Sequence, residues 1–301
     1  MQDVYILSAC RTAIGSFGGT LKDFSSSKLG SIVIKEAISR AGIEVAEVED
    51  VIMGNVLQAG QGQNPARLAS VNAGINVSVP AMTVNKVCGS GLEAVVLADR
   101  EIQTGDANCV IAGGMESMSN APHALKNHRW GKKMGDEFLV DLLVFDGLWD
   151  IFNNYHMGIT AENIAERFSV SRNDQDEFAF RSQQKASKAS AEQRFVEEIV
   201  PVEVPQGKKG NITFLTDEYI KADTSFEVLS KLRSAFKENG TVTAGNSSGI
   251  NDAAAALVLA GESFVKKHNL KPMAKIISYG SKGVDPDIMG MGPVPSIKAA
   301  L

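Results

Sequence analysis

The sequence predicts a layered α/β fold, a sheet covered by helices, with a mainly helical segment inserted into it. Three observations predict it. The first 118 residues alternate short apolar runs with helical patterns, which implies a mostly parallel sheet. From Asn120 to about Asn239 that alternation stops, and after Gly240 it returns. At about 150 residues per domain, 301 residues make two domains, or one large domain with an insertion.

Taken in order, residues 4–9 read as a strand and 29–41 as a helix ended by Gly42. Residues 51–56 form a second strand and 81–84 a short strand-like run, and 92–102 have helical spacing. Residues 110–112 are a further apolar run, closed by Gly113-Gly114 as a turn. Within the insertion, Ser171-Arg-Asn-Asp174 and Thr224-Ser-Phe-Glu227 both resemble capping boxes, where a hydroxyl and a carboxylate satisfy the free N–H groups of a first turn. Val228, Leu229, Leu232 and Phe236 then fall on one helical face. Residues 253–260 are rich in alanine, yet their length and their Gly-flanked ends favour a buried strand. Lys275-Ile-Ile-Ser-Tyr-Gly280 echoes Val4-Tyr-Ile-Leu-Ser-Ala9, as though a second copy of the first unit were starting. Residues 297–301 read as the opening of a helix with no stop signal, so part of that unit is expected to be missing.

Composition excludes several classes. With 44% hydrophobic and 22% charged residues the chain is neither disordered nor fibrous. Thirty basic against thirty-five acidic residues give a net charge of −5, which argues against a nucleic-acid partner. The three cysteines, Cys10, Cys88 and Cys109, make no disulfide framework and match no zinc spacing, so no metal is expected. Free cysteines fit a reducing compartment. Residues 1–4 lack a basic n-region, and no run approaches the ~18 apolar residues of a membrane span. The expectation is a cytoplasmic protein with no membrane partner.

The sharpest chemical constellation is Val84-Asn-Lys-Val-Cys88-Gly-Ser-Gly91, between a predicted strand and a predicted helix. A cysteine at a helix N-terminus faces free N–H groups and the positive end of the macrodipole, which favours thiolate over thiol. Gly89 and Gly91 let the chain turn sharply, and the Cys88 N–H is placed to donate to an acyl oxyanion. Free cysteines are also commonly buried structural residues, and local context leaves both readings open. Cys10 and Cys109 lack the glycine-flanked helix start and are read as structural.

The segment Val84-Asn-Lys-Val-Cys88-Gly-Ser-Gly-Leu-Glu-Ala94 resembles the nucleophile motif of the thiolases. Other segments resemble further motifs of that family, in family order: Arg11-Thr-Ala-Ile-Gly15-Ser-Phe-Gly18-Gly19, Gly54-Asn-Val-Leu-Gln58, Asn64-Pro-Ala-Arg67, Ala112-Gly-Gly-Met-Glu-Ser-Met-Ser119, Tyr155-His-Met-Gly158-Ile-Thr-Ala-Glu-Asn163, Thr243-Ala-Gly-Asn-Ser-Ser248-Gly-Ile-Asn-Asp252 and Met289-Gly-Met-Gly-Pro293. The resemblance implies a thiolase-like layered fold with a mixed sheet. Residues 1–119 and 240–270 would form the N-terminal domain, 120–239 an inserted loop domain, and 271–301 the start of a second, duplicated half. It implies acyl transfer between coenzyme A thioesters with Cys88 as nucleophile, closest to the short-chain acetyl-CoA branch. A thiolate suits this chemistry because it both attacks and leaves well. Acetyl-CoA, acetoacetyl-CoA and CoA would be substrates, with no permanently bound cofactor, and a homodimer or homotetramer is implied.

By the same resemblance Leu148, His156, Met157, Phe236, Ala244, Gly245 and Met289 wall the acyl and pantetheine site. Ser248 bonds the pantetheine arm, and Lys221 stands where relatives often carry an arginine near the coenzyme phosphates. Without the resemblance, His156 reads as a structural histidine, Met157 as core filling and the serines around Ser248 as a turn. Gly113, Gly114 and Glu116 are explained as well by a strand-to-loop turn as by catalysis. His123, His128 and His268 have no motif around them and are expected to be solvent-exposed.

Three later family motifs, Asn-Glu-Ala-Phe, Gly-His-Pro and Cys-x-Gly-Gly, do not occur within residues 1–301. They carry the base, the acid and a second oxyanion donor, so turnover by this chain alone is expected to be weak, since general acid–base catalysis contributes typically 10²–10⁴-fold. Leu92, Val95, Val96 and Leu97 are apolar on several sides of one helix, and part of that helix is expected to lie exposed. The rival readings are a decarboxylating enzyme of the ketoacyl-synthase kind, a longer-chain 3-ketoacyl-CoA thiolase, and a non-catalytic CoA or acyl-CoA binding subunit.

Overall fold

Val4, Tyr5, Ile6 and Thr12, β-branched or aromatic, suit the pleated, half-buried surface of the first strand, β1 (Val4–Thr12). The computed structural model describes residues 2–301. A short strand β2 (Gly15–Ser16) follows, then helix α1 (Ser26–Ala41). Ser25 caps α1 by accepting from Lys28 N, and Gly42 ends it at φ +67°. Next come β3 (Asp50–Gly54), α2 (Pro65–Asn72, capped by Asn64), β4 (Ala81–Val84), α3 (Ser90–Thr104) and β5 (Cys109–Ser117).

The chain divides into two compact units. The first comprises Met1–Leu143, Glu197–Glu218 and Ile250–Ile277, the second Val144–Val196, Tyr219–Gly249 and Ser278–Leu301. The first unit holds the main sheet, in the order Ile199–Val200, β1, Asn251–Gly261, β5, β3, β4. Alternation alone predicts mostly parallel pairing, but the sheet is mixed. Strand Asn251–Gly261 runs antiparallel to both β1 and β5, while β5, β3 and β4 are parallel to one another. This strand enters beside Gly15–Ser16, at the end where β1 finishes, so no crossover helix turns it round.

Successive residues of each strand face opposite layers. On one face Ile52, Val110, Ala112 and Leu259 meet Ala94, Ala98 and Ile102 of α3. On the other, the Ser8 hydroxyl donates to Ala37 O and the Cys10 thiol to Val33 O, both on α1. Leu29, Val33 and Ile34 of α1 are fully buried, each worth roughly 1.5–3 kcal/mol of apolar transfer. A register shift in β1 between Ile6 and Ser8 moves the strand from one facing pattern to the other. The outer side of α3 is open, as expected: Leu92 is 77% exposed, and Val95, Val96 and Leu97 are half-buried.

Gly113 and Gly114 are not a turn. Strand β5 continues through them to Ser117, and both are paired in the ladders with Asn251–Gly261 and with β3. A Cβ on Gly113 would lie 2.1 Å from Ala255 O across the ladder.

In the second unit, Ser171 and Asp174 form the expected capping box at the start of helix Arg172–Ala191. The other expected box is displaced by one residue. Ser225, not Thr224, accepts from Val228 N, and the helix there spans only Phe226–Ser230. Leu232 and Phe236 therefore lie beyond it, and Val228 is 55% exposed while Leu229 is buried. Residues 297–301 close helix Pro293–Ala300. The echo of β1 near residue 275 yields only the two-residue strand Ala274–Lys275, paired with β1.

Candidate active site

Cys88 sits just beyond the carboxyl end of β4, in the link to α3. In open α/β sheets, ligands bind outside the carboxyl ends of the strands. Four glycines let the start of α3 lie close on the sheet. A Cβ on Gly54 would lie 2.6 Å from Ser90 C and 2.7 Å from Gly91 N, and Gly91 in turn stands over Gly113 and Gly114. The link is tied laterally as well. Asn55 N donates to Val84 O (3.0 Å), and Val87 N donates to the Asn85 side-chain oxygen (2.9 Å). Lys86 and Glu93 form an ion pair beside the turn.

Cys88 is exposed, whereas Cys10 and Cys109 are buried. Burial pushes both of those thiols up to about 12; the neighbouring Glu49 and Glu47 add to this at Cys109. Only the thiolate is a nucleophile, so neither buried cysteine competes for that role. Glu116 does not reach the turn directly. Its carboxylate accepts from Val56 N (2.8 Å), Leu57 N (3.2 Å) and the Asn55 amide (2.8 Å), fixing the loop after β3. Burial, with Asp252 nearby, raises its pKa against the pull of those donors.

The nine residues expected to contact substrate lie in the second unit. His156 is the N-cap of helix Met157–Arg167, its Nδ1 accepting from Gly158 N (3.0 Å). That bond requires the neutral ring, and burial lowers the His156 pKa in the same sense. Phe236 stacks on His156 with ring centroids 4.7 Å apart. A Cβ on Gly158 would fall 2.2 Å from the Phe236 ring, so only glycine fits under it. Met157 N donates to Leu148 O (2.8 Å). Leu148, His156, Met157 and Phe236 thus form one half-buried cluster.

Gly245 packs under Leu229 and Leu232, where a Cβ would stand 2.5 Å from each, and Ala244 and Ser248 are exposed beside it. Met289 is 40% exposed in the 3₁₀ segment Pro286–Met291. The Asn163 amide anchors this segment to helix Met157–Arg167, donating to Asp287 O (2.9 Å) and to the Tyr155 hydroxyl (3.1 Å). Lys221 is exposed, with its N–H on the Gln183 side chain (2.8 Å) and its ammonium 6.0 Å from the Tyr219 ring centre.

Residue patterns missed the supports of this region. Glu162 is 2% exposed and accepts from Thr241 N, Thr241 Oγ1 and Val242 N. Asn246 bridges Asp176 (2.9 Å) and Thr241 O (3.0 Å) and accepts from Thr243 N (2.7 Å). Of the unassigned histidines, His123 and His128 are exposed as expected. His268 is not: as the C-cap of helix Glu262–Lys267, four residues after Phe264, it stacks on Phe264 at 4.3 Å, and its Nδ1 is 3.1 Å from Glu47. Among the described residues no group of three or more His, Cys, Asp or Glu side chains is placed to hold a metal. No helix among them is long and apolar enough to cross a membrane.

The chain matches the family model described as Thiolase, N-terminal domain, over residues 4–263. It is 54% identical over 301 residues to an acetyl-CoA acetyltransferase of Cupriavidus necator, covering 100% of this chain and 77% of that protein. A second acetyl-CoA acetyltransferase, from Syntrophomonas wolfei, is 53% identical over 304 residues, with 100% and 76% covered. The crystal structure of the Bacillus anthracis acetyl-CoA acetyltransferase superposes with a TM-score of 0.96 at 41% identity, over 99% of this chain and 75% of that one. The chain therefore spans about three-quarters of the length of these relatives. On the match across residues 4–263 and these identities, it belongs to the thiolase family of acyltransferases.

Proposed function

We propose that this chain performs acetyl-CoA acetyltransferase (acetoacetyl-CoA thiolase) chemistry, with Cys88 as the residue that carries the acetyl group. The observation that carries the assignment is the contrast among the cysteines: Cys88 is exposed on a tied turn at a helix start, and the other two are buried with raised pKa values. In the first half-reaction Cys88 Sγ bonds to the thioester carbonyl carbon, the C–S bond to coenzyme A breaks, and CoA leaves as its thiolate. In the second, a general base, whose family motifs do not occur within residues 1–301, takes a methyl proton from a second acetyl-CoA, and the resulting carbanion attacks the Cys88 acetyl carbonyl. A C–C bond forms and the electron pair returns to Sγ. The Cys88 N–H supports the oxyanion in both.

On this reading the cluster of Leu148, His156, Met157 and Phe236 contacts the acyl group and pantetheine, together with Ala244, Gly245, Ser248 and Met289, and Lys221 faces the coenzyme phosphates. A neutral His156 fits this role, since burial and the bond from Gly158 N both favour it uncharged. Coenzyme A is a substrate here and not a resident group. A homodimer or homotetramer in the cytoplasm, with residues 1–119 and 240–270, 120–239 and 271–301 as N-terminal, loop and C-terminal portions, completes the reading.

Isotope exchange tests it. Labelled CoA should enter acetyl-CoA in the presence of this chain, because acyl transfer to Cys88 is reversible, and the exchange should vanish in Cys88→Ala. Exchange that survives Cys88→Ala, or none above the buffer rate in the unaltered chain, contradicts the proposal.

A further inference from the structure

We propose that Ser90 is a positioning residue for Cys88, holding the nucleophile in place by clamping a strained turn; this rests on the reading of Cys88 as the acyl carrier. Residues Lys86 to Gly89 form a tight turn closed by Gly89 N donating to Lys86 O (3.1 Å). Val87 occupies its second position with φ +48°. Turns with positive φ there use Gly, Asn or Asp, and a β-branched residue in that region is a steric outlier. Six other non-glycine residues among those described have positive φ, and none of them is β-branched.

Burial of the side chain does not explain this, because Val87 is 40% exposed. Hydrogen bonds do. Ser90 is 4% exposed, and its hydroxyl accepts from Lys86 N (2.8 Å) while donating to Val87 O (2.5 Å). One side chain thereby grips the turn on both sides of the Lys86–Val87 peptide. Asn85 holds the remaining Val87 group, accepting from its N–H at 2.9 Å. Ser90 is the first residue of α3, and Gly89 before it offers no side-chain cap. Its hydroxyl thus spends both bonding directions on the turn. Cys88 is the next residue after Val87, so the strained φ sets where its Sγ stands. Without the clamp, Val87 relaxes to negative φ and Cys88 rotates with it. Strain of this kind persists only where the surroundings over-determine it, and it clusters at functional sites.

The test compares the unaltered chain with Ser90→Ala, Val87→Gly and the double variant. Acetyl transfer from acetyl-CoA to Cys88 is followed by peptide mass, with iodoacetamide labelling of Cys10 and Cys109 as the measure of an intact fold. Ser90→Ala should lower the rate of Cys88 acetylation at saturating acetyl-CoA at least tenfold. The half-saturating concentration should stay within twofold, and Cys10 and Cys109 should stay unlabelled. Glycine at 87 adopts the turn without strain, so the double variant should recover to within threefold of Val87→Gly. A purely structural serine would not be rescued in this way. An acetylation rate in Ser90→Ala within twofold of the unaltered chain, or a loss that Val87→Gly does not repair, overturns the inference. If Ser90→Ala exposes Cys10 and Cys109, the double variant decides: restored protection and rate support the clamp, and their absence overturns it. An unaltered chain that takes no acetyl group on Cys88 overturns the functional reading and this inference together, whereas acetylation indifferent to Ser90 overturns the inference alone.

Discussion

Replacing Gly54 by alanine places a methyl group where β3 meets the start of α3. The backbone at Gly54 has no positive φ, so the effect is steric and not conformational. The added carbon would lie 2.6 Å from Ser90 C, 2.7 Å from Gly91 N and 2.8 Å from Ser90 Cβ, about 0.8 Å inside the 3.4 Å at which ordinary contact begins. Two of these atoms are backbone of the segment that carries Cys88, and α3 is held from beneath by buried Ala94, Ala98 and Ile102. Overpacking of this kind costs typically 1–3 kcal/mol, and backbone on the far side puts this case near the top, about 2–3 kcal/mol. The loss of unfolded-state freedom from Gly to Ala offsets only about 0.4–1 kcal/mol of that. The net cost of about 1–2.6 kcal/mol lowers the melting point by roughly 2–10 °C, at ~2–4 °C per kcal/mol for a domain of this size. Cys88 must move with the helix start, and a displacement near 1 Å can cost as much as ~10²-fold in rate. Gly114→Ala is the control. Its Cβ would meet Gly91 Cα at 3.5 Å and Gly54 O at 3.6 Å, both ordinary contacts, so it should cost less than about 1 kcal/mol. Thermal unfolding and the rate of Cys88 acetylation are measured for both variants. Equal melting points for Gly54→Ala and the unaltered chain, or equal losses for the two alanines, would refute the steric account.

Glu162→Ala should destabilise by about 3–5 kcal/mol, because it leaves the N–H groups of Thr241 and Val242 buried without an acceptor; Glu162→Gln keeps one carbonyl oxygen and should cost less than half as much, and equal melting points for the two would contradict this. Glu101 has its pKa raised to about 7 by burial, then by the nearby Asp50 and Asp106 carboxylates. Its contribution to stability is full below about 4.5 and is lost as pH rises through about 7, so Glu101→Gln should gain melting temperature over the unaltered chain progressively across that window and hold the gain above it. A gain independent of pH would count against the assignment. His156 has its pKa lowered by burial, so its stabilising effect is complete above about pH 6.5 and fades as pH falls to the depressed value. His156→Asn, which keeps an N-cap acceptor, should remove that acid-side loss of melting temperature, and an unchanged pH profile would refute it.

Local chemistry was legible where it is local. Strands β1, β3 and β4 follow from apolar runs, and α1 ends where Gly42 can take a left-handed turn. The capping box at Ser171 was readable because one hydroxyl and one carboxylate stand at the right spacing. At Thr224-Ser225 two hydroxyls are adjacent and pattern cannot choose between them; packing chose Ser225. Leu232 then serves as a loop residue over Gly245, a contact that helical periodicity cannot foresee. The antiparallel run of Asn251–Gly261 depends on which strands it separates, and that is set by long-range pairing with β1 and β5. Gly113 and Gly114 look like punctuation in a sequence, yet both lie inside β5, and Gly113 leaves room for the Ala255 carbonyl, a neighbour that the sequence does not reveal. Cys88 stood out from its own surroundings, whereas Leu148, Phe236 and Met289 have no local mark and came only through the family resemblance. The hydroxyl of Ser90 and the carboxylate of Glu162 act through bonds to backbone, which leave no trace in residue pattern.

The measurement that tests the central claim most directly is to incubate the 301-residue chain with acetyl-CoA, quench in acid and map the acetyl group by peptide mass. A single acetyl group on Cys88, absent in Cys88→Ala and with Cys10 and Cys109 unmodified, is the predicted result. Acetyl found on Cys10 or Cys109, or persisting in Cys88→Ala, would contradict the assignment of the nucleophile.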